Sequence, residues 1–101
     1  NNINFQVNEN RSLNTYWLIG VKFKKDTINI EKLQKKLLKN GIETRNFFYP
    51  FSLQKIYSKF SKTKSEVSEE IFKNGIMLPS FPGIRKSEIK FISTVLNEYL
   101  K

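Results

Sequence analysis

Residues 29–50 read NIEKLQKKLLKNGIETRNFFYP, and the hydrophobic period changes in the middle of them. Up to Leu38, the apolar residues Ile30, Leu33, Leu37 and Leu38 recur at i, i+3, i+7 and i+8, which is one face of a helix. Asn29 stands where an N-cap belongs, and Glu31 in the first turn complements the helix dipole. Gly41 after Asn40 supplies a left-handed C-terminal stop. Beyond it, IETRNFFY (42–49) reads as a strand, closed by Pro50 because proline cannot donate to a ladder. A helix passed to a strand across one glycine predicts a mixed fold.

The flanking chain fits that prediction. NTYWLIGVKFKK (14–25) is a strand, with alternation clearest in Val21-Lys22-Phe23-Lys24, and NENRSLN before it is a turn or linker. SLQKIYSKF (52–60) predicts a short helix with Ser52 as N-cap and Leu53, Ile56, Tyr57 and Phe60 on one side. SKTKS (61–65) is a polar loop. EVSEEIFKNG (66–75) predicts a further helix, entered through Thr63 and Glu66 at capping-box spacing and stopped at Asn74-Gly75 as the first is at Asn40-Gly41. IMLPSFPG (76–83) is a short strand ended by Pro79. KSEIKFISTVLNEYLK (86–101) is the last helix, with Ile89, Ile92, Leu96 and Tyr99 as its stripe. The order β-α-β-α-α-β-α predicts an α/β fold: an α+β two-layer sandwich with about three strands covered by helices on one face. Residues 1–13 are a linker or edge segment and 14–101 one domain.

Composition narrows the chemistry. The chain has 101 residues, 39% of them hydrophobic and 14% aromatic, which suits one core and not a disordered tail. No apolar stretch reaches the roughly 20 residues that span a bilayer. NNINFQVNEN has neither the charged nor the apolar region of a signal peptide and no initiator Met, as expected of a piece of a longer chain. Without Cys there is no disulfide, thiolate zinc site or Cys nucleophile; without His the commonest general base and metal ligand are missing. These absences argue against a self-contained hydrolase or metalloenzyme. The net charge of +9 suits a nucleic-acid or phosphate partner, and equally a Lys-rich solvated surface. The lysines are scattered through KFKK, KLQKKLLK and KFSKTK and form no single stripe, which favours the second reading.

The aromatic run after Gly41 holds the candidate site. Alternation puts Arg45, Phe47 and Tyr49 on one strand face and Phe48 on the other. Phe48 is expected against the domain's own helices, and Phe47 and Tyr49 toward something outside it. Arg beside aromatic rings suits an anion or a flat ligand, and it suits a surface or interdomain salt bridge equally well. Trp17 reads first as a core anchor.

Taken in order, NTYWLIGV, LLKNGIETRNFFYPFSLQKIY and VSEEIFKNGIMLPSFPGIRKSEIKFI resemble the C-terminal small domain of the DegT/DnrJ/EryC1/StrS family, in particular its perosamine-synthase-like members. The resemblance runs from about residue 14 to the end. It rests on Tyr16-Trp17, on Gly41-Ile42, on Thr44-Arg45-x-Phe47-Phe48-x-Pro50, and on Gly75-x-x-Leu78-Pro79-Ser80 at the family's spacing. Two positions depart from the pattern. Ser52 stands where the family tends to have a His after the proline, and Arg85 stands where it commonly opens the last helix with Thr.

The resemblance implies the small domain of a fold-type I, pyridoxal-phosphate-dependent aminotransferase. Such an enzyme moves an amino group, usually from glutamate, to a keto group on a nucleotide-linked hexose, for surface polysaccharide or lipopolysaccharide synthesis. It further implies a large domain carrying the Schiff-base Lys, a homodimer in the cytoplasm, and no membrane partner. This fragment would then be inactive alone and would hold no catalytic, cofactor-binding or metal-ligating residue. Ser52-Lys55, Ser61-Lys64 and Ser87-Lys90 match only a bare Ser-x-x-Lys and lack a glycine-rich context. Arg45, Tyr49 and Tyr16 are the residues the resemblance assigns to the sugar nucleotide, with Trp17 beside them. Two other readings stand next to it: a stand-alone basic α/β module binding nucleic acid through aromatic stacking, and a diverged tail with a structural or dimer-stabilising role.

Overall fold

The computed structural model describes residues 3–24, 27–60 and 65–101. In chain order the elements are β1 (Ile3–Phe5), β2 (Ile19–Phe23), α1 (Ile30–Lys39), β3 (Arg45–Asn46), two 3-10 turns (Phe51–Leu53 and Lys55–Tyr57), α2 (Glu66–Asn74), β4 (Gly75–Leu78) and α3 (Lys86–Leu100). The four strands form one antiparallel sheet in the order β1-β2-β4-β3.

Register divides the side chains between two faces. Val21 lies opposite Ile76, and Gly20 opposite Met77. Val21, Phe23 and Ile76 therefore point one way, where they meet Leu33 and Leu37 of α1, Ile42, and Val95 and Leu96 of α3. All are buried, and they form the core. Burying such side chains supplies most of what holds a small domain together. α1 begins as its sequence predicts: the Lys32 N–H donates to Asn29 Oδ1 at 2.9 Å. It ends at Gly41, whose φ of +74° is left-handed, with the Ile42 N–H turned back to the Leu37 carbonyl at 3.0 Å. α3 opens on Arg85, whose backbone N–H donates to the Glu88 carboxylate at 2.8 Å and whose guanidinium donates to it at 3.1 Å. That carboxylate makes the half of a capping box that runs from the third helical residue back to the N-cap N–H; an acceptor for the Glu88 N–H, which a Thr hydroxyl would offer, is not something an Arg side chain can supply.

The opposite sheet face carries Gly20, Lys22, Gly75 and Met77. α2 lies over it: Lys22 Nζ meets Glu70 at 2.9 Å. Phe47 fills the space above the two glycines. A Cβ built on Gly20 or on Gly75 would stand 2.6 Å from its ring, and one on Gly75 also 2.8 Å from the Ile71 carbonyl oxygen.

The mixed fold class is the expected one, with differences in detail. There are four strands, not about three; β1 is too short for its alternation to show in sequence. The helices do not all cover one face, because α2 packs opposite α1 and α3. The strands are shorter than the runs that predict them. Past Asn46 the register reaches Gly75, where α2 gives way to β4, so β3 has no further strand partner. Past Leu78 comes Pro79, which has no N–H to donate. Gly75 is not a left-handed stop: its φ is −133°, and α2 runs directly into β4. The stretch 52–60 forms 3-10 turns, and Ser52 gives its hydroxyl to Glu69 at 3.2 Å instead of capping a helix. Ile56 and Phe60 stay exposed there, so the stretch lacks the packed face a short helix needs. Leu38, expected on the buried stripe of α1, is exposed instead, because only Leu33 and Leu37 face the core. Thr63 of the expected Thr63–Glu66 capping box and the Ser61-Lys64 match lie outside the described residues.

Candidate functional site

Arg45 stands on β3, at one edge of the sheet, opposite Met77. It opens into a cleft of about 470 Å³ walled by Trp17, Glu43, Met77, Ser80 and Phe81. Three pieces of chain build this cleft: the segment before β2, the strand that carries Arg45 with the turn leading into it, and the end of β4 with the loop after it. Among the described residues the guanidinium makes one contact, with Glu43 at 3.9 Å, and its side chain is 80% exposed. A long, solvated ion pair of this kind contributes little, so most of the five guanidinium donors remain available to an incoming anion. Trp17 is 74% exposed and Phe81 is exposed beside it. A planar cation flanked by aromatic faces can hold a phosphate bidentately while a flat group stacks alongside.

Tyr16 stands at the lip of the cleft in an uncommon conformation, with φ +50°. Three hydrogen bonds fix it. Its N–H donates to Asn14 Oδ1 at 2.8 Å, its hydroxyl accepts from Asn8 Nδ2 at 3.0 Å, and its carbonyl accepts from Ser80 Oγ at 3.0 Å. Tyr49 lies elsewhere: its ring meets Phe72 of α2 edge-on at 5.3 Å, outside the cleft walls. The structure thus brings Arg45 and Trp17 together, sets Tyr16 next to them, and separates Tyr49. Three of the orientations expected from sequence differ. Trp17 is no core anchor. Phe48 does not turn toward the helices but is 71% exposed, because it follows the last paired residue of β3. Phe47 turns inward onto Gly20 and Gly75. Glu43, Ser80 and Phe81 were not candidate site residues in the sequence, where Ser80 figured only in the family pattern. Glu43 could have been, since i and i+2 share a strand face; Ser80 and Phe81 follow a proline, where alternation stops.

A second, larger cleft of about 550 Å³ lies between the outer part of the sheet and α3, walled by residues such as Phe5, Ile19, Leu78, Ile89 and Ile92. Its walls carry no ionisable side chain, unlike those of the Arg45 cleft.

An antiparallel sheet with these helices recurs as part of larger aminotransferases. The aminotransferase TlmJ from Streptoalloteichus hindustanus matches with a TM-score of 0.81 at 14% identity, over 98% of this chain and 26% of that one. Helicobacter pylori PseC, an aminotransferase involved in pseudoaminic acid biosynthesis, matches with a TM-score of 0.69 at 16% identity, over 82% of this chain and 23% of that one. At these identities the likeness is one of fold. The chain belongs to the DegT/DnrJ/EryC1/StrS aminotransferase family, whose model matches residues 1–97. It is 32% identical over 85 residues to a GDP-perosamine synthase of Escherichia coli and 30% identical over 92 residues to one of Vibrio cholerae. The alignments take in 84% and 89% of this chain but only 23% and 25% of those proteins, so the chain spans about a quarter of the curated relatives' length.

The family implies pyridoxal phosphate, and the described residues do not fit it. A cofactor lysine must be desolvated to be a nucleophile. No described Lys is buried. Lys55 and Lys90, in two of the Ser-x-x-Lys matches, are exposed. Lys22 is half-buried and already paired with Glu70.

Proposed function

We propose that this chain is the C-terminal small domain of a pyridoxal-phosphate-dependent sugar-nucleotide aminotransferase, and that its Arg45 cleft contributes to binding the nucleotide-sugar. The parent enzyme takes an amino group from an amino acid, glutamate by preference, and delivers it to the keto carbon of a nucleotide-linked hexose destined for surface polysaccharide or lipopolysaccharide. The reading is of a soluble, cytoplasmic homodimer. Pyridoxal phosphate supplies the amine-carrying carbonyl and electron sink. It is bound by a large domain outside these 101 residues, and the small domain alone is inactive.

The observation that carries the reading is the exposed, weakly paired Arg45 in an aromatic-walled cleft, on a chain whose family match runs nearly end to end. In this reading Arg45 meets the pyrophosphate, Trp17 and Tyr16 wall the approach, and Tyr49 has a weaker claim because it packs on Phe72. Ser52, where the family tends to have His, is engaged with Glu69 and offers the substrate no imidazole.

The test is Arg45→Ala in the full-length parent. We expect kcat/KM for the nucleotide-sugar to fall by a factor equivalent to about 1.5–3 kcal/mol, the worth of one charge-assisted contact. The cofactor's absorbance and the reaction with the amino donor stay unchanged. Wild-type kinetics in that variant would remove Arg45 from the site.

A further inference from the structure

The strained residue beside the cleft has a specific support. The β2–β4 register pairs Ile19 with Leu78, and carried two steps further it sets Leu18 opposite Pro79 and Trp17 opposite Ser80. Pro79 has no N–H, so the backbone ladder cannot continue through it. The donor that follows is a side chain: Ser80 Oγ–H reaches the Tyr16 carbonyl at 3.0 Å. On the peptide unit that precedes Tyr16, Asn14 Oδ1 accepts the Tyr16 N–H. Between these two anchors Tyr16 takes its φ of +50°, which is uncommon for any residue with a Cβ and persists only where the surroundings enforce it. The result at the next residue is an indole left outside the core, standing in the cleft wall with Arg45 and Phe81.

We infer that Ser80 is a positioning residue: its hydroxyl, taking over where Pro79 ends the ladder, holds the Tyr16 turn and so places Trp17 in the wall of the Arg45 cleft. Its consequence for substrate rests on the proposed role of that cleft; its action on Trp17 does not.

Trp17 is the one Trp in the chain, so its fluorescence reports this segment alone. In the 101-residue chain, Ser80→Ala should increase the fast, local component of the Trp17 anisotropy decay. Ser80→Thr, which keeps the hydroxyl, should restore the wild-type decay. If Ser80→Ala fails to give the wild-type far-UV spectrum, Ser80→Cys, close in size and a poor donor, takes its place. Unchanged Trp17 motion in the variant lacking the hydroxyl overturns the inference, whether or not its melting midpoint moves. So does a Ser80→Thr variant as loose as Ser80→Ala. In the full-length parent, Ser80→Ala should raise KM for the nucleotide-sugar by roughly threefold to tenfold, the factor carried by one neutral hydrogen bond, with KM for the amino donor unmoved. If Arg45→Ala leaves that KM unchanged, the reading of the cleft fails, and the anisotropy decays alone decide the role of Ser80. If Arg45→Ala raises it and Ser80→Ala does not, Ser80 does not serve the site.

Discussion

Gly20 and Gly75 lie under the same phenyl ring, yet replacing them should have different consequences. A methyl on Gly20 is crowded by the Phe47 ring and otherwise meets Gln6 at an ordinary distance, whereas one on Gly75 is also crowded by the Ile71 carbonyl oxygen. A ring can tilt; a helix backbone cannot do so cheaply. Both Gly20→Ala and Gly75→Ala should destabilise by about 1–3 kcal/mol, as overpacking does. Shortening the ring with Phe47→Leu should relieve Gly20→Ala and leave most of the Gly75→Ala loss in place. Denaturation midpoints of the singles and doubles measure this, and equal relief in both pairs would mean that the Ile71 contact does not matter. Gly41→Ala acts through another cause: nothing crowds it, but its positive φ should cost an alanine about 1 kcal/mol. Glu88 makes a charge-dependent contribution at the start of α3. Hydrogen bonds from the Arg85 guanidinium, and then from the Arg85 backbone N–H, hold its carboxyl below the ordinary 4.5. A carboxyl depressed on folding stabilises above its unfolded pKa and loses that contribution as pH falls through the folded one. The melting-point gap between wild type and Glu88→Gln should therefore be present at neutral pH and close in acid, below the ordinary 4.5. A gap independent of pH would mean that the charge of Glu88 contributes nothing.

Among the elements, α1 shows best what can be read in a sequence. Leu37 and Leu38 are neighbours of the same type, but one is fully buried and the other exposed. Leu37→Ala should cost about 2–5 kcal/mol, and Leu38→Ala less than about 0.5. Urea midpoints check the contrast, and similar losses would show that α1 sits rotated from the face described. The cap, the glycine stop and, with Leu38 wrongly included, the stripe through Ile30, Leu33 and Leu37 were legible because each depends on residues within one or two turns. The strand ends were not, because they depend on partners: β3 stops where α2 ends across from it, and β4 stops at a proline whose effect on the Tyr16 segment needs the β2–β4 register. Arg45 and Glu43 were open to reading as a strand face. That Phe47 turns inward while Phe48 stays in solvent depends on two glycines far apart in sequence, which no local period reveals. The glycine at 75 was identified as special for the wrong reason: it is needed for what packs against it, not for its backbone angle.

At the scale of the whole molecule, the +9 charge is spread over faces that lie away from the Arg45 cleft as well as near it, and the cleft itself carries Glu43 beside its arginine. Its selectivity is therefore set by local geometry more than by the overall field. The sheet order has a different consequence, one for assembly. The two middle strands, β2 and β4, are separated in the chain by α1, β3 and α2, so the centre of the sheet cannot form until its last strand is available. Closing so long a loop slows folding, and neither half of the chain holds a complete core. A chain cut between Phe60 and Ser65 would give one piece with Val21 and Leu33 and another with Ile76 and Val95, each deprived of its partners. We expect each piece alone to lack the native far-UV spectrum and the mixture to recover it with a rate that rises with concentration. The domain would then behave as a two-part complex whose tether can be severed, and a first piece that folds unaided would contradict this.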